Sequence, residues 1–292
     1  MVEPPIQLSF NNRHNPQAGF DMVALKKVLK RTYENHSPYE IHRVDFFIIM
    51  YIAAGQGSHI IDFKEYTCTP GTVLTIRKDQ IHQFQPNQDL EGYLLLFTNE
   101  FLISYLEQLE AQKSLQLFNE LLGEPRVRLA PSIQPEVAAL MARLHREYFE
   151  VNDGYSLGII RSELHILIAQ LYRAKSQLYP LIQPRKYLES FIRFQELAEA
   201  HVKETTRVQD YAEMMGVSTK TLNTITREML NKSAKAFLDE ICIMQVKRLL
   251  IHTPLSIKEI AFAAGFDEPS NFYKYFRRHV AQTPEAFRLS FQ

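Results

Sequence analysis

The C-terminal third of this 292-residue chain contains an internal near-repeat that restricts the fold more than any other feature. Ala212-x-x-x-Gly216 recurs 49 residues later as Ala261-x-x-x-Gly265, each time directly after an apolar residue. A helix-turn-helix has this pattern, because the small alanine lets a second helix pack closely and the glycine takes a positive φ without steric cost. One helical segment, Ala234–His252, joins the two copies. The repeat therefore predicts two helix-turn-helix motifs.

The residues after each glycine support the same prediction. Ser218 is a favourable N-cap for the second helix of the first motif. Leu222 and Ile225 fall on the face that packs against the first helix, and Phe272 and Tyr275 take these positions in the second copy, with one extra turn residue. The second helix of each motif is thus expected to bury one face.

Two segments, VQDYAEMMGVSTKTLNTITREM and PLSIKEIAFAAGFDEPSNFYKYFRRHVAQTPEAFR, resemble the AraC/XylS family of bacterial transcription regulators. The second segment nearly reproduces the family signature of an alanine–glycine turn, spaced aromatic residues, a basic residue and a Thr-Pro pair. The resemblance covers Phe191–Arg288. It implies that the second helix of each motif lies in successive major-groove turns on one face of DNA.

The sequence departs from the family at three positions. Asn231 and Ala281 stand where the family usually has glycine. Asparagine tolerates a positive φ, whereas Ala281 would be strained by one. Cys242 stands where the family usually has arginine, and its presence removes either a supporting contact or a phosphate contact.

The resemblance implies a set of DNA-facing side chains on the two second helices. They are Lys220, Thr221, Asn223, Thr224 and Arg227 in the first motif, and Ser270, Asn271, Lys274, Arg277 and Arg278 in the second. Asparagine can bond adenine and lysine can reach guanine acceptors. Cations at helix ends, such as the last two arginines, neutralise phosphates without reading sequence. For each single residue, a solvated helix face is the alternative.

The N-terminal part has a different sequence pattern. Five short β-rich runs between Arg43 and Phe97, separated by turn residues, predict a small antiparallel barrel or sandwich. Residues 1–37 are expected to be irregular, apart from a short helical stretch near Met22–Tyr33. Helical periodicity then follows in three segments, Asn99–Leu122, Gln134–Val151 and Tyr155–Leu178.

The expected fold class is α+β: an N-terminal cupin-like antiparallel β-barrel with helices, then an all-α domain with two helix-turn-helix motifs. A polar, proline-containing segment near residues 180–186 indicates the boundary between the two domains. Residues 1–180 are assigned to effector binding and dimerisation, and residues 187–292 to DNA binding. The helix at 156–176 is expected to form a homodimer or to pack on its own barrel. Its apolar stripe consists of Leu157, Ile160, Leu164, Leu167 and Leu171.

The strands resemble the cupin-type sensor domain that many AraC relatives carry. Gly71 and His82 keep the spacing of the second cupin motif, but Arg77 and Asp79 replace its proline and glycine, and the first motif is absent. A catalytic cupin holds its metal with three or four convergent ligands. We therefore expect neither a metal nor another cofactor.

A small-molecule pocket inside the barrel is expected instead. The ligand-binding candidates are His42, Tyr51, His59 and His82, with Phe47, Ile49, Ile61, Phe63 and Phe84 as further lining candidates. His59 and His82 are favoured because an imidazole in a barrel interior needs a hydrogen-bond partner. Filling of a small barrel core is the alternative, and it is favoured for the aliphatic residues.

Composition restricts the class of protein further. Thirty-three basic and thirty-three acidic residues cancel, yet from Arg207 onward twelve Lys and Arg face nine Asp and Glu, a net charge of +3. Cys68 and Cys242 form no metal spacing and favour a reducing compartment. The N-terminus has no signal-peptide pattern, and no apolar run is long enough to span a membrane. A cytoplasmic location is expected.

These observations and the family resemblance predict a sequence-specific transcription regulator that responds to a small-molecule effector. It is expected to be an activator that contacts RNA polymerase and not to be an enzyme. Two alternatives remain: a metal-dependent cupin enzyme with a helical appendage, and a regulator with no ligand.

Overall fold

The computed structural model describes residues 5–12, 15, 18–30, 37–86, 88–104, 116–118, 124–178 and 185–290. The chain divides into two compact units, one within residues 5–180 and one within residues 181–292. The first combines β-strands and helices, and the described part of the second is helical. The α+β class is therefore confirmed.

The strands of the first unit form two five-stranded sheets. The strands are β1 (Ile6–Leu8), β2 (Phe20–Ala24), β3 (His42–Val44), β4 (Phe47–Ala54), β5 (Gly57–Ile61), β6 (Lys64–Cys68), β7 (Thr72–Ile76), β8 (Ile81–Phe84), β9 (Glu91–Phe97) and β10 (Arg126–Arg128). The first sheet has the order β1-β3-β8-β5-β6 and the second β10-β7-β4-β9-β2. β1 pairs with β3 in parallel, and the other pairings are antiparallel.

Two separate cores result because β4 is buried on both faces. Ile48 and Met50 join an inner core between the two sheets. Ile49 and Tyr51 point to the opposite face and join a helix-side core. Alternate residues of a strand point to opposite faces, so a one-residue difference decides which core a side chain enters.

The described helices that follow β9 in the first unit cover the outer face of the second sheet. The described helices of the first unit are α1 (Leu25–Lys30), α2 (Asn99–Ile103), α3 (Gln134–Arg146) and α4 (Ser156–Leu178), with a 3-10 turn at Gln116–Phe118 and a π-helical turn at Glu147–Val151. On α4, Ile160, Leu164, Leu167 and Leu171 are at most 1% exposed and belong to the helix-side core. The stripe expected to form a dimer is thus used by packing on the chain's own sheet.

Several sequence-based predictions of this unit need correction. The described part of residues 1–37 contains β1 and β2 besides α1, and β3, β6 and β10 were not predicted. Residues 31–33 of the helical stretch predicted near Met22–Tyr33 lie outside the described residues. Of the helix predicted at Asn99–Leu122, residues 105–115 and 119–123 lie outside the described residues, and the rest contains α2 and the 3-10 turn. Phe63 lies with Asp62 in a positive-φ turn between β5 and β6, not in a strand.

The second unit reproduces the predicted repeat. Its described helices are α5 (Arg185–His201), α6 (Val208–Met214), α7 (Thr219–Leu230), α8 (Ala234–His252), α9 (Ile257–Ala263), α10 (Pro269–Val280) and α11 (Pro284–Leu289). α9 follows α6 by 49 residues and α10 follows α7 by 50, so the second turn has one extra residue as expected. Gly216 and Gly265 have φ of 66° and 83°, the positive values that the turns require.

The repeat also extends past the second helix of each motif. Asn231 ends α7 with φ of 54°, and Ala281 ends α10 with φ of 61°. Both residues close their helices in the left-handed conformation that usually selects glycine. Ala281 is therefore strained, as its position in the sequence implied.

Of the helices that the structure describes, none combines the length and apolar character needed to cross a membrane.

Candidate DNA-binding face and ligand cavity

The first candidate site is the outer face of α7. The Ser218 side chain accepts a hydrogen bond from the Thr221 backbone N–H at 3.0 Å and caps the helix. Leu222 and Ile225 are buried, as predicted. Lys220, Thr221 and Arg227 are exposed on the other side.

Three of the predicted DNA-facing residues of α7 are engaged within the protein, and one of them is Thr221, whose hydroxyl lies 2.8 Å from the Ser218 hydroxyl. Asn223 Nδ2 donates to the Thr219 carbonyl at 2.9 Å, and Asn223 Oδ1 accepts from the Ala234 N–H at 3.1 Å. The second bond ties α7 to the first turn of α8, which favours a positioning role for Asn223. Thr224 is half-buried, and its hydroxyl donates to the Lys220 carbonyl at 3.1 Å.

The second candidate site is the corresponding face of α10. All five predicted residues are exposed and share one face, because their spacing is i, i+1, i+4, i+7 and i+8: Ser270, Asn271, Lys274, Arg277 and Arg278. Phe272 and Phe276 on the opposite face are fully buried. The Arg278 guanidinium lies 5.7 Å from the centre of the Tyr275 ring.

The two helices together form a positively charged surface. They carry five exposed cations against one exposed acidic residue, Glu228. Within the described ranges, no ion pair involves Lys220, Arg227, Lys274 or Arg277. Unpaired cations on the outer face of a helix are the groups that phosphates recruit.

A buried carboxylate orients α10. Asp239 of α8 accepts hydrogen bonds from the Tyr275 hydroxyl and the Lys235 ammonium, both at 2.8 Å. Burial raises the pKa of Tyr275, which keeps its phenol protonated as the donor. Cys242 lies beside Tyr275, is 2% exposed, and burial raises the pKa of its thiol to about 11. This location favours a supporting contact over a phosphate contact at position 242.

The third candidate site is a histidine cluster between the sheets. β8 lies between β3 and β5, and this pairing brings three histidines together that are distant in sequence. His82 Nδ1 is 3.2 Å from His59 Nε2, and the His42 and His82 ring centres are 5.9 Å apart. All three side chains are at most 5% exposed.

His59 and His82 are neutral. Burial, with a smaller contribution from His42, lowers the pKa of His59 to about 3. Burial and the two neighbouring imidazoles lower the pKa of His82 well below its usual value. One ring therefore donates an N–H to the other. His82 Nε2 and His59 Nδ1 have no hydrogen-bond partner among the described residues.

Tyr51, the fourth ligand-binding candidate, does not join the cluster. It lies in the helix-side core, as does Ile49, and the half-buried Phe47 packs against that core. Ile61 and Phe84 do lie in the inner core. The expected inward face of β4 is thus wrong by one residue.

A cavity of about 850 Å³ opens between the sheets. His42 and His82 line it together with Val44, Ile48 and Phe84. It also contacts parts of the chain that the sequence pattern did not associate with ligand binding. These are Leu8 to Asn11, Asp21 to Ala24, the α1 residues Lys26, Lys27, Val28 and Lys30, and Phe149.

Within the described ranges, no group of three or more His, Cys, Asp or Glu side chains is arranged to hold a metal ion. The cavity is instead bounded by apolar side chains, two buried imidazoles and the lysines of α1. Its size is in the range of pockets that take small organic molecules.

Known proteins resemble this chain in both units. Family models match it over residues 28–163, as an AraC-like ligand binding domain, and over residues 211–290, as a helix-turn-helix domain. The HTH-type transcriptional activator RhaS of Escherichia coli O139:H28 is 24% identical over 247 residues, 85% of this chain and 86% of the relative.

Solved structures add further similarities. ToxT of Vibrio cholerae, crystallised with an unsaturated fatty acid, is 15% identical over 84% of this chain and 87% of that chain, with a TM-score of 0.42. An AraC-type transcriptional regulator of Chromobacterium violaceum is 28% identical over 34% of this chain and 88% of that chain, with a TM-score of 0.32.

Proposed function

The chain belongs to the AraC family of DNA-binding transcription regulators with a ligand-binding domain, and from this premise we propose which surfaces bind DNA and the effector. Helices α7 and α10 bind DNA. The cavity between the sheets holds a small organic effector. The protein acts in the cytoplasm, where its DNA lies, and has no enzymatic activity.

One observation carries the DNA-binding assignment. The exposed faces of α7 and α10 hold equivalent positions of a repeat, and each carries cations that have no ion-pair partner within the described residues. We propose that bases are contacted by Lys220, Ser270, Asn271 and Lys274. We propose that phosphates are contacted by the arginines nearer the C-terminal ends of the two helices, Arg227, Arg277 and Arg278.

The test uses a site selected from a random DNA library with the full-length protein. Lys274→Ala should weaken binding to the selected site by about ten-fold and leave binding to scrambled DNA unchanged. Arg277→Ala should weaken both and lower the salt slope by about one. Lys258→Ala, which removes an exposed lysine of α9, is the matched control. The DNA-binding assignment is wrong if the selection enriches no sequence. It is also wrong if Lys258→Ala and Lys274→Ala lose equal affinity for the selected site.

Activation through RNA polymerase is proposed from the relatives, since RhaS is described as a transcriptional activator. Run-off transcription from a promoter carrying the selected site should rise when the protein is added. A fall in transcript would assign the opposite sign of regulation.

Homodimer formation is proposed through the outward face of α4 in place of its buried stripe. Tyr155, just before the helix, and Ile159 and Ile166 on it are 80%, 42% and 48% exposed. With the exposed Ser162 and Ala169 they follow spacings of four, three, four and three residues. This is the heptad spacing by which two helices pack along a seam. A second copy of the chain supplies the partner helix.

A further inference from the structure

In the cavity between the sheets, the charged side chains lie at the edge and the apolar side chains line the interior. We propose that its effector is an amphipathic monocarboxylate, with the apolar body between the sheets and the carboxylate at the lysines of α1. The inference rests on the proposed function, which requires a small organic effector but does not define its chemistry.

The interior of the cavity is apolar. Val44, Ile48 and Leu94 project into it from both sheets, and Phe84 adds an aromatic ring. Of the described lining residues that are buried, only His42 and His82 are polar. A polyhydroxylated ligand would lose its bonds to water here without enough partners to replace them. The walls therefore favour a hydrocarbon or aryl body.

The edge of the cavity is cationic. Lys26, Lys27 and Lys30 of α1 line it, and all three are exposed. Lys26 pairs with Glu91 at 2.6 Å, whereas Lys27 and Lys30 have no ion pair within the described ranges. Among the described lining residues, the one acidic residue is Asp21, which accepts a hydrogen bond from the Tyr148 hydroxyl at 2.6 Å. The surplus positive charge at this edge favours an anionic head group.

The described residues of the interior offer no second site for an anion. His82 lines the cavity, is 5% exposed and is held by His59 through Nδ1. Its Nε2 has no hydrogen-bond partner among the described residues. Because the ring is neutral, this atom suits an uncharged hydroxyl or carbonyl on the ligand. The placement of charge thus fits one carboxylate at the edge rather than a dicarboxylate.

Calorimetric titration of the full-length protein with decanoate, 1-decanol, decylamine and glucose tests this class. An apolar cavity alone prefers decanol, because the carboxylate loses more hydration on entry. We expect decanoate to bind at least about three-fold more tightly than decanol, a reversal that requires the lysines. All amphiphiles are titrated below the concentration at which they form micelles.

Substitution of the lysines locates the head group. Lys27→Gln and Lys30→Gln should each weaken decanoate by about three-fold and leave decanol unchanged. Lys78→Gln removes an exposed lysine of the same unit outside the cavity and is the matched control. It should change neither affinity.

The class is wrong if decanol, decylamine or glucose binds more tightly than decanoate, or if Lys78→Gln weakens decanoate as much as Lys27→Gln does. It is also wrong if none of the four binds while the selected DNA still does. Failure of the proposed function has a separate readout, because DNA selection then enriches no site.

Discussion

Ala281 is the clearest point of local strain in the helical unit. Its φ of 61° places an alanine in the left-handed region, where a Cβ costs about 1 kcal/mol. Ala281→Gly should therefore raise the free energy of unfolding of this unit by about 1 kcal/mol in urea titrations. Asn231→Gly, at the equivalent position with φ of 54°, is the control and should change it by less. A less stable Ala281→Gly variant would contradict the assignment.

The buried histidines link stability to pH. His59 has a pKa of about 3 in the folded protein and the ordinary value of 6.5 when unfolded, so the unfolded chain binds the extra proton first. Stability is then fully present above pH 6.5 and is lost as the pH falls from 6.5 towards 3. His82 acts in the same direction. Each histidine should contribute a slope of about 1.4 kcal/mol per pH unit below 6.

Urea titrations between pH 5 and 7.5 measure this slope for the strand-containing unit. His59→Gln should lower the slope of stability against pH by about the contribution of one histidine, since glutamine does not titrate. His201→Gln changes a half-buried histidine of the other unit, paired with Glu204 at 2.9 Å, and serves as the control. An unchanged slope in His59→Gln would show that the imidazole is protonated in the folded protein.

The two turn glycines differ at the level of the motif. A Cβ on Gly216 would meet nothing within 4 Å, whereas one on Gly265 would lie 2.1 Å from the Lys203 carbonyl oxygen. Gly216→Ala should cost about 1 kcal/mol from its positive φ alone. Gly265→Ala should cost about 3 kcal/mol or more, because backbone must also move. Urea unfolding and DNA binding of both variants check the order, and equal losses would contradict it.

The helical elements could be predicted from sequence because their signals are local. The alanine and the glycine of each motif lie four residues apart, and this spacing occurs twice. The strands were harder. β1 and β10 are three residues long, and β6 alternates only Tyr66 and Cys68 against polar residues. Such short or polar strands are fixed by their neighbours in the sheet.

The faces of elements were predictable only where one face is polar. β4 is buried on both sides, so its sequence contains no alternation to show that Tyr51 points away from His82. α4 has apolar residues on two faces, and sequence alone could not tell which face packs on the sheet. The convergence of His42, His59 and His82 depends on strand order, which no local pattern specifies.

At the scale of the whole molecule, the net charge of zero is misleading about partners. The neutral total averages an acidic majority before residue 207 with a net charge of +3 after it. Within the helical unit, α7 and α10 together carry five exposed cations, with only Glu228 as an exposed acid on these two helices. A local cationic face is sufficient for DNA binding, because counterion release depends on the phosphates contacted and not on total charge.

Dimer formation through the outward face of α4 is also a property of the whole molecule. Joint replacement of Ile159 and Ile166 by glutamate should give a folded monomer, because both side chains are exposed and unfolding is not expected. Leu164→Glu should instead unfold the unit, since Leu164 is 0% exposed in the helix-side core. Ala139→Glu, on the exposed face of α3, is the surface control. Sedimentation velocity distinguishes these outcomes.

Dimer loss should also be visible on DNA. Two linked DNA-binding units hold two adjacent sites by effective concentration, so the double glutamate variant should lose about 100-fold in affinity on DNA with two selected sites. On DNA with a single site it should bind as wild type does, because α7 and α10 are untouched. If the wild-type protein sediments as a monomer at micromolar concentration and discriminates single from double sites no better than the variant, the exposed face of α4 has another role.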